Sequence, residues 1–177
     1  MVAVEMAKGI DKFTESNFWR MLTRPERRDF SDGIESFECL KEGCSEGRFL
    51  GGCLALICSL VGSKYLPDFN DAILFIEDVG EEPYQIDRRL MQLKLSGVLS
   101  KINGMVLGQL DDCFTDKPEP SLSLEQIIED ITADLDIPIL AGLPYGHVDV
   151  KHTIPIGARV RLDATNRKLT MIETAVS

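Results

Sequence analysis

The chain has 177 residues, which is enough for one domain with its own core and without metal or disulfide support. Its composition, 44% hydrophobic and 27% charged, is that of a folded soluble protein and excludes the disordered and membrane classes. The net charge of -10 argues against a nucleic-acid or anionic-membrane surface and favours a small-molecule partner.

The cysteines and the first residues together predict a reducing compartment. The five cysteines form no C-x-x-C pair, and an odd number fits reduced thiols better than a disulfide framework. The chain starts without a basic segment followed by a long apolar run, and no later apolar stretch approaches the length of a membrane span. We therefore expect a cytoplasmic protein.

The first 33 residues predict a helix that needs a partner surface. Thr14 is a candidate N-cap, and Pro25 would close the helix. Phe18, Met21 and Leu22 recur at helical spacing on one face. We expect part of the surface that covers this face to lie outside the given sequence.

From Ile34 onward the pattern predicts strands that alternate with helices. Two short strands with a turn around residues 43–47 are followed by a buried helix, "CLALICSLVG". The strand "AILFIED" precedes a helix that starts near Pro83 and extends to Ile102. The strand "GMVLGQL", a helix capped by Ser123, the strand "IPILAGLP" and a closing hairpin around residues 165–167 complete the chain. This alternation predicts an α/β domain with a partly parallel sheet.

One short motif raises the possibility of a serine nucleophile. Residues 43–47, Gly-Cys-Ser-Glu-Gly, match the G-x-S-x-G pattern of many hydrolases. A nucleophile elbow needs a buried strand before the serine and a helix after it, whereas the flanks here are polar and glycine-rich. We therefore expect Ser45 to lie at a hairpin tip and to match the motif by chance.

Two acidic residues end the apolar strand "AILFIED". In α/β folds ligands bind at the carboxyl ends of the strands, where a carboxylate can orient a histidine. Glu77 and Asp78 are candidates for this role. The alternative is that both side chains cap the next helix or contact water.

Both histidines of the chain lie in "LPYGHVDVKHTIPIG". His147 follows a strand and a glycine, so it can lie on the same rim as Glu77 and act as a general base. His152 lies five residues later without a third ligand nearby, so a zinc site is disfavoured. A cysteine hydrolase that pairs Cys44 with His147 remains open, as does a purely structural role for each histidine.

The segments "GRFLGGCLALICSLVGSKYLPDFNDAILFIEDVGEEPYQIDRRL" and "LAGLPYGHVDVKHTIPIGARVRLD" resemble the C-terminal domain of the LD-carboxypeptidase family. This family includes the muramoyltetrapeptide carboxypeptidases and the microcin-immunity hydrolases. The resemblance extends from about Ile34 to the C-terminus. It implies a swivelling layered β/β/α fold for residues 34–177. Residues 1–33 then become the linker and helix that leave an N-terminal domain absent from this chain.

The resemblance also implies a Ser-His-Glu triad divided between two domains. Glu77 would be the carboxylate, His147 would be the base, and the serine would lie upstream of Met1. Gly52, Cys53 and Glu81 would contact the substrate, although relatives often carry Asn where this chain has Cys53. The implied reaction is hydrolysis of the amide to a terminal D-amino acid in a murein tetrapeptide, without a metal or other cofactor.

Three further expectations follow from the resemblance. The family implies a homodimer. The microcin-immunity branch cleaves a peptidyl nucleotide, but "EDVGEEPYQIDRRL" favours the murein branch. A non-catalytic binding module with the same fold is the alternative from a different functional class, because a fold alone does not establish an activity.

Overall fold

The computed structural model describes residues 2–31, 37–114 and 121–177 of the chain. The start of the alternating pattern at residues 34–36 and the part of the Pro-rich loop at residues 115–120 lie outside these residues. Within them, five helices are present: α1 (Val2–Lys8), α2 (Lys12–Thr23), α3 (Leu54–Leu60), α4 (Pro83–Leu95) and α5 (Leu124–Thr132). No described helix combines the length and apolarity that a membrane span requires.

Seven strands of the described chain form one mixed sheet: β1 (Glu38–Lys41), β2 (Cys44–Cys53), β3 (Ala72–Val79), β4 (Gly104–Asp111), β5 (Ile139–Ala141), β6 (Arg159–Asp163) and β7 (Lys168–Met171). Their order across the sheet is β1-β5-β4-β3-β2-β6-β7. Strands β2 to β5 run parallel, and β1, β6 and β7 pair antiparallel. The prediction of an α/β domain with a partly parallel sheet is confirmed.

Apolar side chains cover both faces of the sheet, because the strands alternate between two cores. In β3, Leu74 and Ile76 belong to the core under α3, α4 and α5, whereas Ile73 and Phe75 belong to the core on the other face. Met21 of α2 packs into this second core. Strands that are buried on both faces read as continuous apolar runs, which explains the sequence of "AILFIED".

The short connection between β1 and β2 requires the sheet to curl. These strands lie four strand spacings apart in the sheet order, which is about 19 Å in a flat sheet. Three Cα steps join Lys41 to Cys44, and they reach at most about 11 Å. Gly43 between them donates its N–H to Thr165 Oγ1 (3.0 Å) and accepts from the N–H of Ala164 (3.0 Å). The link therefore lies against the β6–β7 turn as well.

Three local predictions were wrong. The N-cap of α2 is Asp11, whose carboxylate accepts from the Phe13 N–H (2.8 Å), while the hydroxyl of Thr14 donates to the Asp149 carbonyl. Strands β1 and β2 do not form a hairpin, because β1 pairs with β5. Helix α4 ends at Leu95, where Ser96 and Gly97 follow, and the apolar residues beyond it lie in a turn.

Candidate active site

The carboxyl ends of the parallel strands bring the candidate residues to one edge of the sheet. Cys53 ends β2 and is the register partner of Glu77 in β3. His147 lies in the segment that follows β5, whose carboxyl end is at the same edge. This edge is where open α/β sheets bind ligands.

Glu77 and His147 form a hydrogen-bonded pair. The Nδ1 atom of His147 lies 3.0 Å from Oε2 of Glu77. Glu77 is 5% exposed, whereas the side chain of His147 is 58% exposed. With Nδ1–H as the donor, the carboxylate fixes one tautomer and leaves Nε2 as an unprotonated acceptor. A buried carboxylate behind an accessible imidazole is an arrangement suited to general-base chemistry.

A bulge in β4 makes room for this pair. Ile76 and Asp78 of β3 are matched by Leu107 and Leu110 of β4, so Gly108 and Gln109 both lie opposite Glu77. A Cβ on Gly108 would lie 2.8 Å from the carbonyl oxygen of Tyr145, and this contact leaves no space for a side chain. Bulges of this kind are common beside active sites, because they redirect side chains.

A second glycine lets the segment after β5 approach Glu77. Gly146 has φ +132°, and a Cβ there would lie 3.1 Å from Glu77 Oε2 and 3.2 Å from the Gln109 carbonyl oxygen. Neither Gly108 nor Gly146 was predicted as part of the site. The available signal was the glycine inside a buried strand, which indicates a close backbone approach.

Asp78 points to the opposite face of the sheet from Glu77, as strand alternation requires. Its Oδ2 accepts from the Ala55 N–H at the start of α3 (3.0 Å), and its Oδ1 accepts from the Val79 N–H (3.0 Å). Asp78 therefore caps α3, the helix before its strand and not the following helix that the alternative prediction named, whereas Glu77 contacts the histidine.

The predicted substrate-contacting residues surround the same edge. Gly52 has φ +142°, and a Cβ there would meet no atom within 4 Å. The Cys53 thiol lies 3.6 Å from Asp78 Oδ1, and burial raises its pKa, with smaller contributions from the charges of Asp78 and Glu77. The Glu81 carboxylate pairs with Arg89 at 2.8 Å. The turn at residues 52–53 is therefore adjacent to Glu77, while Glu81 is engaged by a helix α4 residue.

Tyr145 is a neighbour of the pair that sequence analysis did not identify. Its ring packs edge-on against Phe75, with 5.3 Å between the centroids. Burial raises the pKa of the Tyr145 phenol, and the charge of Glu77 raises it further. The phenol therefore remains protonated and contributes no charge beside Glu77. No periodic pattern in the sequence marks this residue.

His152 belongs to a structural cluster and not to the Glu77–His147 pair. It is buried between the rings of Phe13 and Phe30, and its Nδ1 lies 3.3 Å from Asn17 Oδ1. Burial lowers the pKa of His152 to about 4, and the nearby Arg28 charge acts in the same direction. Among the described residues, no three His, Cys, Asp or Glu side chains converge as metal ligands.

The G-x-S-x-G motif lies far from the site. Ser45 is within β2 and pairs with Leu162 of β6, so the prediction of a hairpin tip was wrong. Eight residues separate Ser45 from Cys53 along this strand, which is about 26 Å. Because Cys53 is beside Glu77, neither Ser45 nor Cys44 can reach His147. The interpretation of the motif as a chance match is supported by this separation.

Known proteins include relatives of this chain over most of its length. Residues 46–162 match the LD-carboxypeptidase C-terminal domain. A probable murein peptide carboxypeptidase of Bacillus subtilis is 36% identical over 90% of this chain and 50% of its own length. A putative carboxypeptidase of Synechocystis is 39% identical over 70% of this chain and 41% of its own length. The chain thus spans about half the length of the curated relatives it matches.

A solved structure supports the same relationship. The muramoyltetrapeptide carboxypeptidase of Oxalobacter formigenes matches with a TM-score of 0.77 and 29% identity, covering 90% of this chain and 54% of that one. The mixed α/β fold of this chain is therefore similar to that of this carboxypeptidase over most of its length.

Proposed function

Because the chain belongs to the LD-carboxypeptidase family, as its C-terminal domain, we propose that it provides two members of a Ser-His-Glu triad. Glu77 is the orienting carboxylate and His147 is the base. The observation that supports these roles is the 3.0 Å contact between His147 Nδ1 and Glu77 Oε2 at the carboxyl edge of the sheet. The reaction is hydrolysis of the amide to a terminal D-amino acid.

The first half of the reaction requires an activated serine. His147 Nε2 accepts the serine proton while the hydroxyl oxygen attacks the carbonyl carbon of the amide. Glu77 accepts the Nδ1 hydrogen bond throughout and stabilises the imidazolium that forms. Its burial maintains this orientation, since the carboxylate has little freedom to turn towards solvent.

The second half returns the proton and releases the acid product. The imidazolium donates its Nε2 proton to the leaving nitrogen, and the amide C–N bond breaks to leave an acyl-serine. Water then attacks this ester and gives a proton to His147, and the ester C–O bond breaks as the imidazolium returns that proton to the serine oxygen and the acid product leaves. The exposure of the His147 side chain lets the serine, the amide and the water reach the same nitrogen in turn.

The serine in this proposal comes from a separate N-terminal domain of the full protein. Residues 34–177 form the C-terminal domain, and residues 1–33 connect it to the N-terminal one. Within the described chain, α2 already packs on the C-terminal domain: Thr14 bonds Asp149 and Lys151, and Met21 enters the second core. The connecting helix is therefore positioned on the same loop that carries His147.

The proposed substrate is a murein tetrapeptide in the cytoplasm, with no metal or other cofactor. The names of the Bacillus and Oxalobacter relatives support a murein peptide. We assign substrate contact to Gly52, Cys53 and Glu81, and the register pairing of Cys53 with Glu77 supports this assignment for the end of β2. The open space beside Gly52 leaves room for a substrate backbone, because no side chain lies within 4 Å of the position of a Cβ.

The experiment that tests the proposal measures D-alanine release from a murein tetrapeptide by the full-length protein. We expect His147→Ala to reduce kcat by roughly 10³-fold or more, and Glu77→Ala to have a smaller effect, because the orienting group contributes less than the base. Glu129→Gln, an exposed substitution on α5, is the control and retains the wild-type rate. A peptidyl-nucleotide substrate in parallel separates the two branches of the family.

The isolated 177-residue chain provides a second arm of the same experiment. A base without a nucleophile or oxyanion donors cannot perform acyl transfer, so this chain releases no D-alanine. Turnover by the isolated chain that disappears in Ser45→Ala would contradict the assignment of the nucleophile. Wild-type turnover in full-length His147→Ala would remove His147 from the triad.

A further inference from the structure

We propose that Asp78 is a positioning residue for the turn at which β2 ends with Gly52 and Cys53 and α3 begins. It holds this turn against the Glu77–His147 pair, and this inference rests on the proposed function. Asp78 follows the proposed triad carboxylate directly in sequence, but its side chain lies on the other face of the sheet. It touches neither His147 nor any group that reacts. Its effect is transmitted through the turn between β2 and α3.

Two of the contacts of Asp78 lead to this turn. The residue is 3% exposed, and its Oδ2 accepts from the Ala55 N–H (3.0 Å). Its Oδ1 lies 3.6 Å from the Cys53 thiol, which donates to it, and also accepts from the Val79 N–H at 3.0 Å. Helix α3 has no side-chain cap from its own N-cap residue, Cys53. Asp78 replaces that cap from the neighbouring strand.

A helix α4 residue holds the carboxylate in place. Arg89 Nη1 lies 3.6 Å from Asp78 Oδ2 and 2.8 Å from Glu81 Oε2. The charge of Arg89 therefore compensates two carboxylates, one of which is almost fully buried. The ends of β2 and β3 and the first part of α4 are joined by these contacts into one charged network.

The β2–β3 pairing fixes this turn up to Cys53 and the burial of Leu54 fixes its far side, so Asp78 adds the cap of α3 and the contact to the Cys53 thiol. Gly52 has no side chain, and a Cβ there would meet nothing within 4 Å. Its φ of +142° is costly for most other residues, so the conformation is not one the chain adopts by default. Cys53 is directly opposite Glu77 in the β2–β3 register. A shift of the turn would therefore move one wall of the substrate pocket relative to the catalytic pair.

The Cys53 thiol offers a readout of the turn that is independent of catalysis. Burial makes the largest contribution to its raised pKa, and the charge of Asp78 raises the pKa further. Removing that charge lowers the thiol pKa and releases the hydrogen-bonded sulfur, so the thiolate fraction at a given pH increases. Cys44, exposed at the other end of β2, serves as an internal reference in the same molecule.

The test compares Asp78→Asn with Asp111→Asn in the full-length protein. Asp111 is an exposed aspartate at the carboxyl end of the neighbouring strand β4, so it matches Asp78 in type and position but not in contacts. We measure kcat and KM for D-alanine release, and the rate at which iodoacetamide alkylates Cys53 and Cys44, resolved by peptide mass spectrometry. Urea unfolding monitors the stability of each variant.

We expect Asp78→Asn to raise KM roughly tenfold while kcat stays within about threefold, because the pair is retained and the pocket wall is displaced. Alkylation of Cys53 becomes several-fold faster, that of Cys44 is unchanged, and Asp111→Asn behaves as wild type. If Asp78→Asn does not fold, Arg89→Gln tests the same network from α4 through KM, which is expected to rise as in Asp78→Asn, and an unchanged KM would reject the network.

A folded Asp78→Asn variant with wild-type KM and wild-type Cys53 alkylation would overturn the proposal and reduce Asp78 to a stabilising residue. Absence of D-alanine release from the wild-type protein would instead count against the proposed function. In that case the alkylation of Cys53 decides the positioning role: faster reaction in Asp78→Asn supports it, and an unchanged rate rejects it.

Discussion

At the residue scale, Gly146 controls how closely His147 can approach Glu77. The backbone at Gly146 is left-handed, and the space where a side chain would begin is occupied by the Glu77 carboxylate and the Gln109 carbonyl. Gly157, in the same loop, has φ +93° but open space around it. An alanine at either position would strain the backbone, but only an alanine at position 146 would also clash with neighbouring atoms.

We predict that Gly146→Ala destabilises the protein by about 1–3 kcal/mol more than Gly157→Ala, because only the first adds a clash to the strain. Turnover of the full-length enzyme should fall in Gly146→Ala, since the clash displaces Glu77 or the loop. Urea unfolding and D-alanine release measure the two effects. Equal stability and equal turnover in the two variants would contradict the close approach.

His152 makes stability depend on pH. Its pKa is lowered from 6.5 to about 4 by burial in the folded protein, so the unfolded chain binds more protons between these values. The free energy of unfolding therefore decreases as the pH falls from about 7 to about 4, by up to about 3 kcal/mol from this residue. In His152→Gln the free energy of unfolding, measured by urea denaturation at each pH, should change less between pH 7 and pH 4. An unchanged difference between pH 7 and pH 4 in His152→Gln would show that His152 is not buried as a neutral ring.

At the scale of the elements, α5 illustrates a helix whose start is specified locally. Ser123 Oγ accepts from the Gln126 N–H (3.3 Å), and Gln126 Oε1 accepts from the Ser123 N–H (2.9 Å). Ile127, Ile128 and Ile131 are buried on one face. The predicted cap at Ser123 is confirmed, because all the groups involved lie within four residues of each other.

We predict that Ser123→Ala lowers the free energy of unfolding by about 1 kcal/mol, since the Gln126 N–H loses its side-chain acceptor. Ser123→Asp should retain most of the stability, because aspartate accepts the same hydrogen bond and has a favourable charge at a helix start. Chemical denaturation measures both. If the two variants lose equal stability, the cap contributes less than its geometry indicates.

At the scale of the whole molecule, α2 leaves an apolar surface uncovered in the isolated chain. Met21 is buried, but Trp19 and Leu22 are each 50% exposed, and Phe18 packs edge-on against Trp19. Exposed aromatic and aliphatic groups on one helix are typical of an interaction surface. The predicted homodimer remains a proposal, and this surface is its candidate contact.

We predict that the isolated chain self-associates through α2, which sedimentation across a concentration series measures. The double variant Trp19→Lys, Leu22→Lys should remain monomeric at concentrations where the wild type is dimeric. Leu95→Lys, at an 81% exposed position on α4, is the control. Loss of the dimer in the control alone would move the contact to α4, and a strictly monomeric wild type would contradict the prediction.

The sequence by itself determined the order and type of most elements and singled out Glu77 and His147, which the structure brings into hydrogen-bond contact. Apolar runs, capping residues and strand ends are encoded over a few neighbouring positions, which is why β3, α5 and the rim residues Glu77 and His147 could be predicted. The resemblance to a known family added the roles of these residues. Their pairing required only that two parallel strands end at the same edge.

The tertiary structure decided the contacts between residues that are distant in sequence. Strand β1 pairs with β5 and not with its neighbour β2, because pairing depends on which edge is available in the folded sheet. Thr14 lost its predicted role as a cap because Asp149 and Lys151 bind its hydroxyl. Glu77 contacts His147 and Asp78 caps α3 because different elements cover the two faces of β3. No local pattern in the chain contains that information.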